Sequence, residues 1–332
     1  MASIYGKIMM DYPKVDVIIP VFNRERFITQ TLESVLGQTY RNLEIVVVDD
    51  GSTDKSSEKI QPYLRHRNVK YLYQNNQGPA LARNVGIRAS CGDLIAFLDS
   101  DDIWLPNKLE KQIQFLARNP AIPLVHTGRM DIDAFGNRKQ PSRSMDAQGY
   151  CFRDLFIANR IILSTVVVTR SCLNVTGAFN KEFRGCEDYD LWLRIARNHP
   201  IGYIDEVLAL YRFHDSNLSR DSFEMTRQEV TFIESLLERF PECHMLLGRD
   251  LIASRLGDLV YQLACWYMWN ARRHDVAKVY FSQSKKLRPF HFPSHKWFWW
   301  CSLTVQQRRI CSWYLSKSRQ LLGNRSKSHA RE

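Results

Sequence analysis

Residues 15–21 form a nearly unbroken apolar run rich in β-branched side chains, interrupted by Asp16 and with Pro20 near its end. A run of this kind predicts a strand covered on both faces. Phe27, Thr31, Val35 and Leu36 follow at helical spacing. Residues 43–48 predict a second buried strand, which stops abruptly at Asp49-Asp50-Gly51-Ser52. Ser52 or Thr53 is placed to cap a following helix in which Ile60 and Leu64 share a face. The pattern then predicts a shorter strand at 69–73, a helix at 78–89 and a fourth strand at 94–98 that runs into Asp99-Ser100-Asp101-Asp102. The helix expected at 106–118 has Pro in its first turn and Leu109, Ile113 and Leu116 on one side. Strands alternating with helices in this way predict an α/β fold with a mainly parallel, doubly wound sheet.

Between about 120 and 185 the rhythm loosens. Residues 122–125 and 161–169 read as strands there, and the polar stretch 131–149 as a loop. Residues 187–198 predict a helix with Leu191, Trp192 and Ile195 facing inward. Beyond 225 the pattern is helical: Leu251, Leu256, Leu259, Val260 and Leu263 mark one helix, and Val276, Val279, Tyr280 and Leu287 another. This pair has the length of one tetratricopeptide-like unit, but a single copy does not make a solenoid. The chain thus divides into a tail at 1–13, a main domain at 14–225, a helical extension at 226–290 and a C-terminal segment at 291–332.

A hydrophobic fraction of 45% over 332 residues is that of an ordinary globular protein. No run reaches the roughly 18–20 apolar residues of a spanning helix, and no signal-peptide pattern opens the chain, which predicts a cytoplasmic protein. The eight cysteines show no CxxC spacing, so reduced thiols are expected rather than a zinc site or a disulfide framework. Charge alters the picture more. Residues 241–332 hold 16 Lys and Arg against 5 Asp and Glu, a net of +11, whereas the first 240 residues hold 30 of each. Six of the eight tryptophans lie in the same C-terminal part.

In open parallel sheets, ligands bind beyond the carboxyl ends of the strands. Three such ends are polar here: residues 20–24, residues 49–54 and residues 99–102. Asp99, Asp101 and Asp102 repel one another unless a cation or solvent compensates. Hard oxygen ligands at a strand end suit Mg²⁺ or Mn²⁺, with phosphate oxygens completing the shell. An extended stretch puts residues 99 and 101 on one face, where both meet the same ion. An acidic turn capping the helix at Pro106 accounts for the same residues without a metal. Asp49 and Asp50 fit turn formation, or hydrogen bonding to a nucleobase. Glu187 and Asp188 fit the first turn of a helix through its dipole, or a general base at the mouth of a site. Arg83-Asn84 and Arg212-Phe213-His214 offer groups for a diphosphate.

Taken in order, Pro20-Val21-Phe22-Asn23-Arg24, the block 46–54, Gly78…Arg83-Asn84…Gly86, the block 97–102 and Glu187-Asp188-Tyr189-Asp190-Leu191-Trp192 resemble the family 2 inverting glycosyltransferases of the GT-A fold. The resemblance covers roughly residues 14–220 and departs from the usual pattern in having Phe22 where Tyr is commoner. It implies that Pro20, Val21 and Asn23 line a nucleotide-sugar pocket, that Asp50 contacts the base and that Arg83 lies near the diphosphate. It also implies that Asp99 approaches the ribose or the metal, that Asp101 ligates Mn²⁺ or Mg²⁺ and that His214 helps to hold it. Asp188 becomes the catalytic base, with Glu187 placing it. The implied reaction is metal-dependent transfer from a nucleoside-diphosphate sugar, UDP favoured, to a hydroxyl of a glycan or lipid-linked saccharide in cell-surface polysaccharide synthesis.

Other classes fit the residues less well. A nucleic-acid-binding protein suits the basic, Trp-rich end but leaves the acidic strand ends unexplained, so no nucleic acid is expected as a partner. A nucleotide-sugar-binding module without turnover uses the same pocket. A nucleotidyltransferase lacks its Gly-rich phosphate loop, and no GxGxxG follows the first strand as a dinucleotide oxidoreductase requires. For the C-terminal segment, Lys296, Trp297, Phe298, Trp299, Trp300 and Arg308-Arg309 suit an anionic membrane surface, peripherally on the cytoplasmic face. A helical subdomain packing its tryptophans inward is the competing reading.

Overall fold

The computed structural model describes residues 12–139, 147–217, 221–304 and 307. Most of the expected tail at 1–13, the middle of the 131–149 loop, and Arg308, Arg309 and Trp313 lie outside them. The chain forms two units that meet at Asp221 and Ser222. The first carries an eight-stranded sheet, and the second is built of helices.

Strands β1 (Val15–Val21), β2 (Leu43–Asp49), β3 (Val69–Tyr73) and β4 (Leu94–Phe97) pair in parallel in the order β3-β2-β1-β4. β1, β2 and β4 are buried along their whole length, which explains their continuous apolar runs. Pro20 is accommodated in a central strand because β4 stops pairing at Ile18↔Phe97, so no ladder partner waits for the missing N–H. Asp16, fully buried, accepts hydrogen bonds from Arg170 Nη2 at 2.9 Å and from the Gly92 N–H.

Helices cover both faces. α1 (Ile28–Leu36) buries Ile28, Leu32 and Val35 against the side of β1 that carries Val15, Val17 and Ile19. α2 (Ser56–Ile60) is short, and α3 (Pro79–Arg88) lies on the opposite face, where a Cβ on Gly86 would stand 2.5 Å from Ile18 Cγ2. Only glycine lets α3 come that close. α4 (Lys108–Arg118) follows the two-residue β5 (Ile103–Trp104) and buries the expected Leu109, Ile113 and Leu116.

The second half of the sheet is mixed. β6 (Leu124–Ile132), β7 (Val167–Thr169) and β8 (Ile201–Arg212) extend the order as β4-β7-β6-β8-β5. β7 runs antiparallel to β4 and β6, β6 runs parallel to β8, and β5 antiparallel to β8. Two expectations are corrected here. The strand at 122–125 continues to Ile132 and takes Asp131 out of the loop; a bulge at Gly128, where a Cβ would meet the Glu206 carbonyl at 2.8 Å, breaks its alternation. Within 161–169 only Val167–Thr169 is strand, because Leu163–Thr165 forms a 3₁₀ turn. α5 (Phe152–Ile157), α6 (Arg170–Thr176) and α7 (Glu187–Ala196) complete the unit.

The second unit contains α8 (Ser222–Arg239), α9 (Cys243–Leu247), α10 (Arg249–Trp269), α11 (His274–Leu287) and α12 (Phe292–Ser302). Ala264, Met268, Ala277, Phe281 and Cys301 form a core cluster, with Trp297, Phe298 and Trp300 packed against it. No helix among the described residues is long and apolar enough to cross a membrane. The seven described cysteines are all free.

Candidate active site

The site grows out of three strand ends and one helix start. After β1 the backbone turns through Asn23, whose φ of 53° is left-handed. The Asn23 side-chain oxygen accepts hydrogen bonds from the N–H of Thr53 at 2.8 Å and of Asp54 at 3.3 Å, and its own N–H donates to Ser52 Oγ at 3.1 Å. Ser52 and Thr53 thus serve to pin the two loops together. They do not cap a helix as expected, since α2 starts at Ser56, whose N–H donates to Asp54 Oδ1. Pro20 and Val21 are buried in β1, and Phe22 is the first exposed side chain beyond them.

Both acids after β2 are engaged. Asp49 accepts from the Tyr71 hydroxyl at 2.6 Å and the Ser52 N–H at 2.8 Å; burial and this carboxylate push the phenol well above its ordinary range. Asp50, also buried, accepts from Gln74 Nε2 at 2.6 Å and from the Gln77 and Gly78 N–H groups at 2.8 Å. It fixes the segment that leads into α3.

The residues after β4 form a turn closed by the Asp102 N–H on the Asp99 carbonyl at 3.1 Å, not the extended stretch that spacing suggests. Its three carboxylates therefore diverge. Asp99 accepts from Arg83 Nη2 at 2.7 Å. Asp101 Oδ2 receives Arg24 Nε at 3.0 Å and lies 2.9 Å from His214 Nε2. Asp102 accepts from Ser164 Oγ at 2.5 Å and the Arg212 N–H at 2.8 Å, tying the turn to β8. Electrostatics follow the partners. Burial, with the charges of Asp101 and Asp99, raises Asp102 well above the usual carboxylate range. Burial raises Asp99 as well, against the opposing pull of Arg83. At Asp101 burial also acts upward, yet His214 and Arg24 outweigh it and hold the carboxyl below its ordinary value.

α7 supplies the remaining acids. Glu187 is buried and accepts from Arg83 Nη1 at 2.8 Å and the Gly185 N–H at 2.6 Å. Arg83 is therefore a bridge between Asp99 and Glu187, with both ends of its guanidinium committed to carboxylates, where the sequence suggested a group open to a diphosphate. Asp188 is only half-buried and accepts from the Tyr189 N–H at 2.7 Å. Burial and then the charge of Glu187 push its carboxyl up to about 7, with Arg83 opposing. A helix N-terminus favours the charged form; here desolvation wins.

The structure thus brings Arg83, Asp99 and Glu187 into one ionic network beside Asp188, and Asp101 with His214 into another. Asn23 and Asp50 act as pins in the loops alongside. Arg24, Ser164 and Arg212 complete the site; of these the sequence singled out only Arg212, as a group for a diphosphate. Arg24 and Arg212 stand within quoted motifs, whereas Ser164 lies in a segment that reads as strand. A cavity of about 1000 Å³ opens beside Arg24, Phe27, Asp133, Phe213 and His214. Asp188 does not line it, so this cavity and the α7 acids are separate features of the site.

The donor set bears on a divalent metal. Among the described residues no three His, Cys, Asp or Glu side chains gather around one point. Asp101 and His214 offer one carboxylate and one imidazole, and Mg²⁺ or Mn²⁺ is commonly held by one or two protein groups plus substrate phosphates. The residues fit a metal shared with a phosphorylated substrate. They do not fit a cage made of protein alone.

A sheet parallel over β3-β2-β1-β4 and mixed beyond, with carboxylates after β4 and at the start of α7, matches the GT-A glycosyltransferase fold that the sequence resemblance implied. A sequence profile of glycosyl transferase family 2 matches residues 16–171. The UDP-Glc:alpha-D-GlcNAc-diphosphoundecaprenol beta-1,3-glucosyltransferase WfgD of Escherichia coli is 35% identical over 231 residues, covering 69% of this chain and 88% of that protein. The chain belongs to glycosyl transferase family 2. An uncharacterized glycosyltransferase of Rickettsia bellii (strain RML369-C) is 37% identical over 217 residues, 65% of this chain but 31% of that protein. The chain thus spans about a third of the length of its relatives from Rickettsia bellii, Rickettsia felis and Rickettsia conorii. In fold it is similar to the mannosyltransferase PcManGT from Pyrobaculum calidifontis, solved in complex with GDP-Man and Mn²⁺. The TM-score is 0.56 at 18% identity, over 88% of this chain and 84% of that one.

Proposed function

We propose that the chain transfers a sugar, with inversion, from a nucleoside-diphosphate sugar to a hydroxyl of a glycan or lipid-linked saccharide. The observation that carries this reading is Asp188: a carboxylate held near neutrality, half-open to solvent, beside a fixed ionic network. Its Oδ atom takes the proton from the acceptor hydroxyl as that oxygen attacks the anomeric carbon. The bond from that carbon to the diphosphate oxygen breaks in the same step, and its electron pair leaves with the nucleoside diphosphate. A single displacement turns an α-linked donor into a β-linked product.

Glu187 and Arg83 keep Asp188 and Asp99 in register. Asp101 and His214 would hold Mn²⁺ or Mg²⁺, which supplies Lewis-acid neutralisation of the leaving diphosphate. Pro20, Val21, Asn23 and Asp50 form the base end of the donor site, and Asp99 its ribose end. The choice of UDP, and of a diphosphate-linked lipid saccharide as acceptor, is supported by the donor and acceptor named for WfgD.

The test is nucleoside diphosphate release from UDP- and GDP-sugars with Mn²⁺ or Mg²⁺ and a diphosphate-linked saccharide acceptor, followed by proton NMR of the product. UDP release that EDTA abolishes, with a β anomeric coupling from an α donor, is the expected result. An α product, or release indifferent to EDTA, would overturn inversion or metal dependence respectively.

We also infer a peripheral location on the cytoplasmic face of an anionic membrane, through the second unit. α12 divides its aromatics. Trp297, Phe298 and Trp300 pack inward, whereas Phe292 (75% exposed), Lys296 and Trp299 (66%) face out, next to Phe290 (99%). Exposed aromatics beside lysine, in a region of net charge +11, suit a headgroup layer of anionic lipid. The full chain should co-sediment with phosphatidylglycerol vesicles and much less with phosphatidylcholine. The double variant Phe292→Ser/Trp299→Ser should lose at least about fivefold of that binding. Equal binding by the variant would remove α12 from the account.

A further inference from the structure

Asp101 Oδ2 is already occupied by a cation. Arg24 Nε lies 3.0 Å from it, and the Arg24 guanidinium is itself held in place, its Nη1 donating to the carbonyls of Phe22 at 3.2 Å and Asn23 at 3.1 Å. The Arg24 N–H donates to Ser56 Oγ at 2.7 Å, and the left-handed turn at Asn23 just before it sets the direction of the side chain. Arg24 is largely buried, with 18% of its side chain exposed, so this is a built contact and not a loose surface pair.

His214 is turned the same way. Its Nε2 lies 2.9 Å from Asp101 Oδ2, and its Nδ1 stands 2.9 Å from Ser216 Oγ and 3.3 Å from the Ser216 nitrogen. Arg24 thus meets the charge of Asp101 without a metal. A divalent ion placed at Asp101 would stand against a guanidinium 3.0 Å away on the same oxygen, and two cations there repel.

We propose that Arg24 is an internal stand-in for the divalent cation: it neutralises Asp101 in the free protein and must release it before the metal binds. The proposal rests on the metal reading of Asp101 and His214 given above, and deepens it. Its consequence is coupling. Without a nucleotide, the metal displaces Arg24 unaided and binds weakly. With a nucleotide diphosphate in place, phosphate oxygens share the metal and give the freed guanidinium an anion to face, so the two ligands bind together. Arg24 lines the cavity beside His214, which gives it room to swing.

The test is Mn²⁺ binding by the full chain, read from the electron paramagnetic resonance signal of free Mn²⁺, with and without UDP. In the absence of UDP, Arg24→Met should bind Mn²⁺ about ten- to a hundredfold more tightly than wild type, the range for losing a charge-assisted hydrogen bond. Arg24→Lys, which keeps the charge, should stay near wild type, and melting curves establish that both variants fold. Adding UDP should tighten Mn²⁺ binding in wild type and much less in Arg24→Met. Equal or weaker Mn²⁺ affinity in Arg24→Met without UDP would overturn the stand-in while leaving the metal site. If wild type failed to bind Mn²⁺ even with UDP, the metal reading would fall and the proposal with it.

Discussion

Replacing Arg83 by Gln is expected to cut sugar transfer at least about a hundredfold and to destabilise the first unit by about 3–5 kcal/mol, the cost of leaving buried charges unpaired. Arg83 holds Asp99 at 2.7 Å and Glu187 at 2.8 Å, and both bonds are lost at once. The effect reaches Asp188, because Arg83 is the charge that, with the Tyr189 N–H, opposes the upward push of burial and Glu187 on that carboxyl. Without it Asp188 titrates above its present value of about 7, so the acid limb of the kcat/KM profile moves to higher pH. Lys at this position keeps the charge but lacks the fork that spans two carboxylates, and should recover only part of the loss. Denaturant unfolding and the pH profile together check this. A limb that stays in place in Arg83→Gln would separate Arg83 from Asp188.

Much of this arrangement was legible in the sequence, for identifiable reasons. β1, β2 and β4 are covered on both faces, so their residues are apolar but for the buried Asp16 and Glu44, and their ends fall at the first polar cluster. α4 shows its helical stripe because one side faces the sheet and the other faces water. β8 stayed hidden because its middle is exposed and its ends are buried, which gives neither a clean run nor an alternation. The bulge at Gly128 shifts the register of β6 against β8 and erased the period-two signal past Val125. Within the site, residue types after β4 and at the start of α7 pointed to Asp99, Asp101, Glu187 and Asp188. They did not reveal who pairs with whom. Spacing placed Asp99 and Asp101 on one face, whereas the turn through Ser100 sends one to Arg83 and the other to Arg24. Both arginines read as ligand-facing groups or solvated charge, because a buried ionic bridge spanning 104 residues leaves no local pattern.

Asp188→Asn is expected to lower kcat by about a thousandfold, within the usual range for loss of a general base. Asn is nearly isosteric and keeps the carbonyl that accepts the Tyr189 N–H, so the start of α7 should not move. Stability should not suffer either. A carboxyl raised to about 7 in the folded chain binds its proton more tightly than in the unfolded chain, whose carboxyl titrates near 3.8. Between those values the folded state holds more protons, so stability from this group is full at low pH and falls as pH rises through 7. Asn removes that loss, and the variant should melt no lower than wild type at pH 8.

The proposed role of Asp188 as the base is tested most directly by the pH dependence of kcat/KM for UDP-sugar transfer in wild type and Asp188→Asn, with donor affinity followed by calorimetry. The expected result is a wild-type rate that climbs through an acid limb at about 7, and a variant that binds donor within about threefold of wild type yet turns over about a thousandfold more slowly. Turnover near the wild-type rate in Asp188→Asn would contradict it.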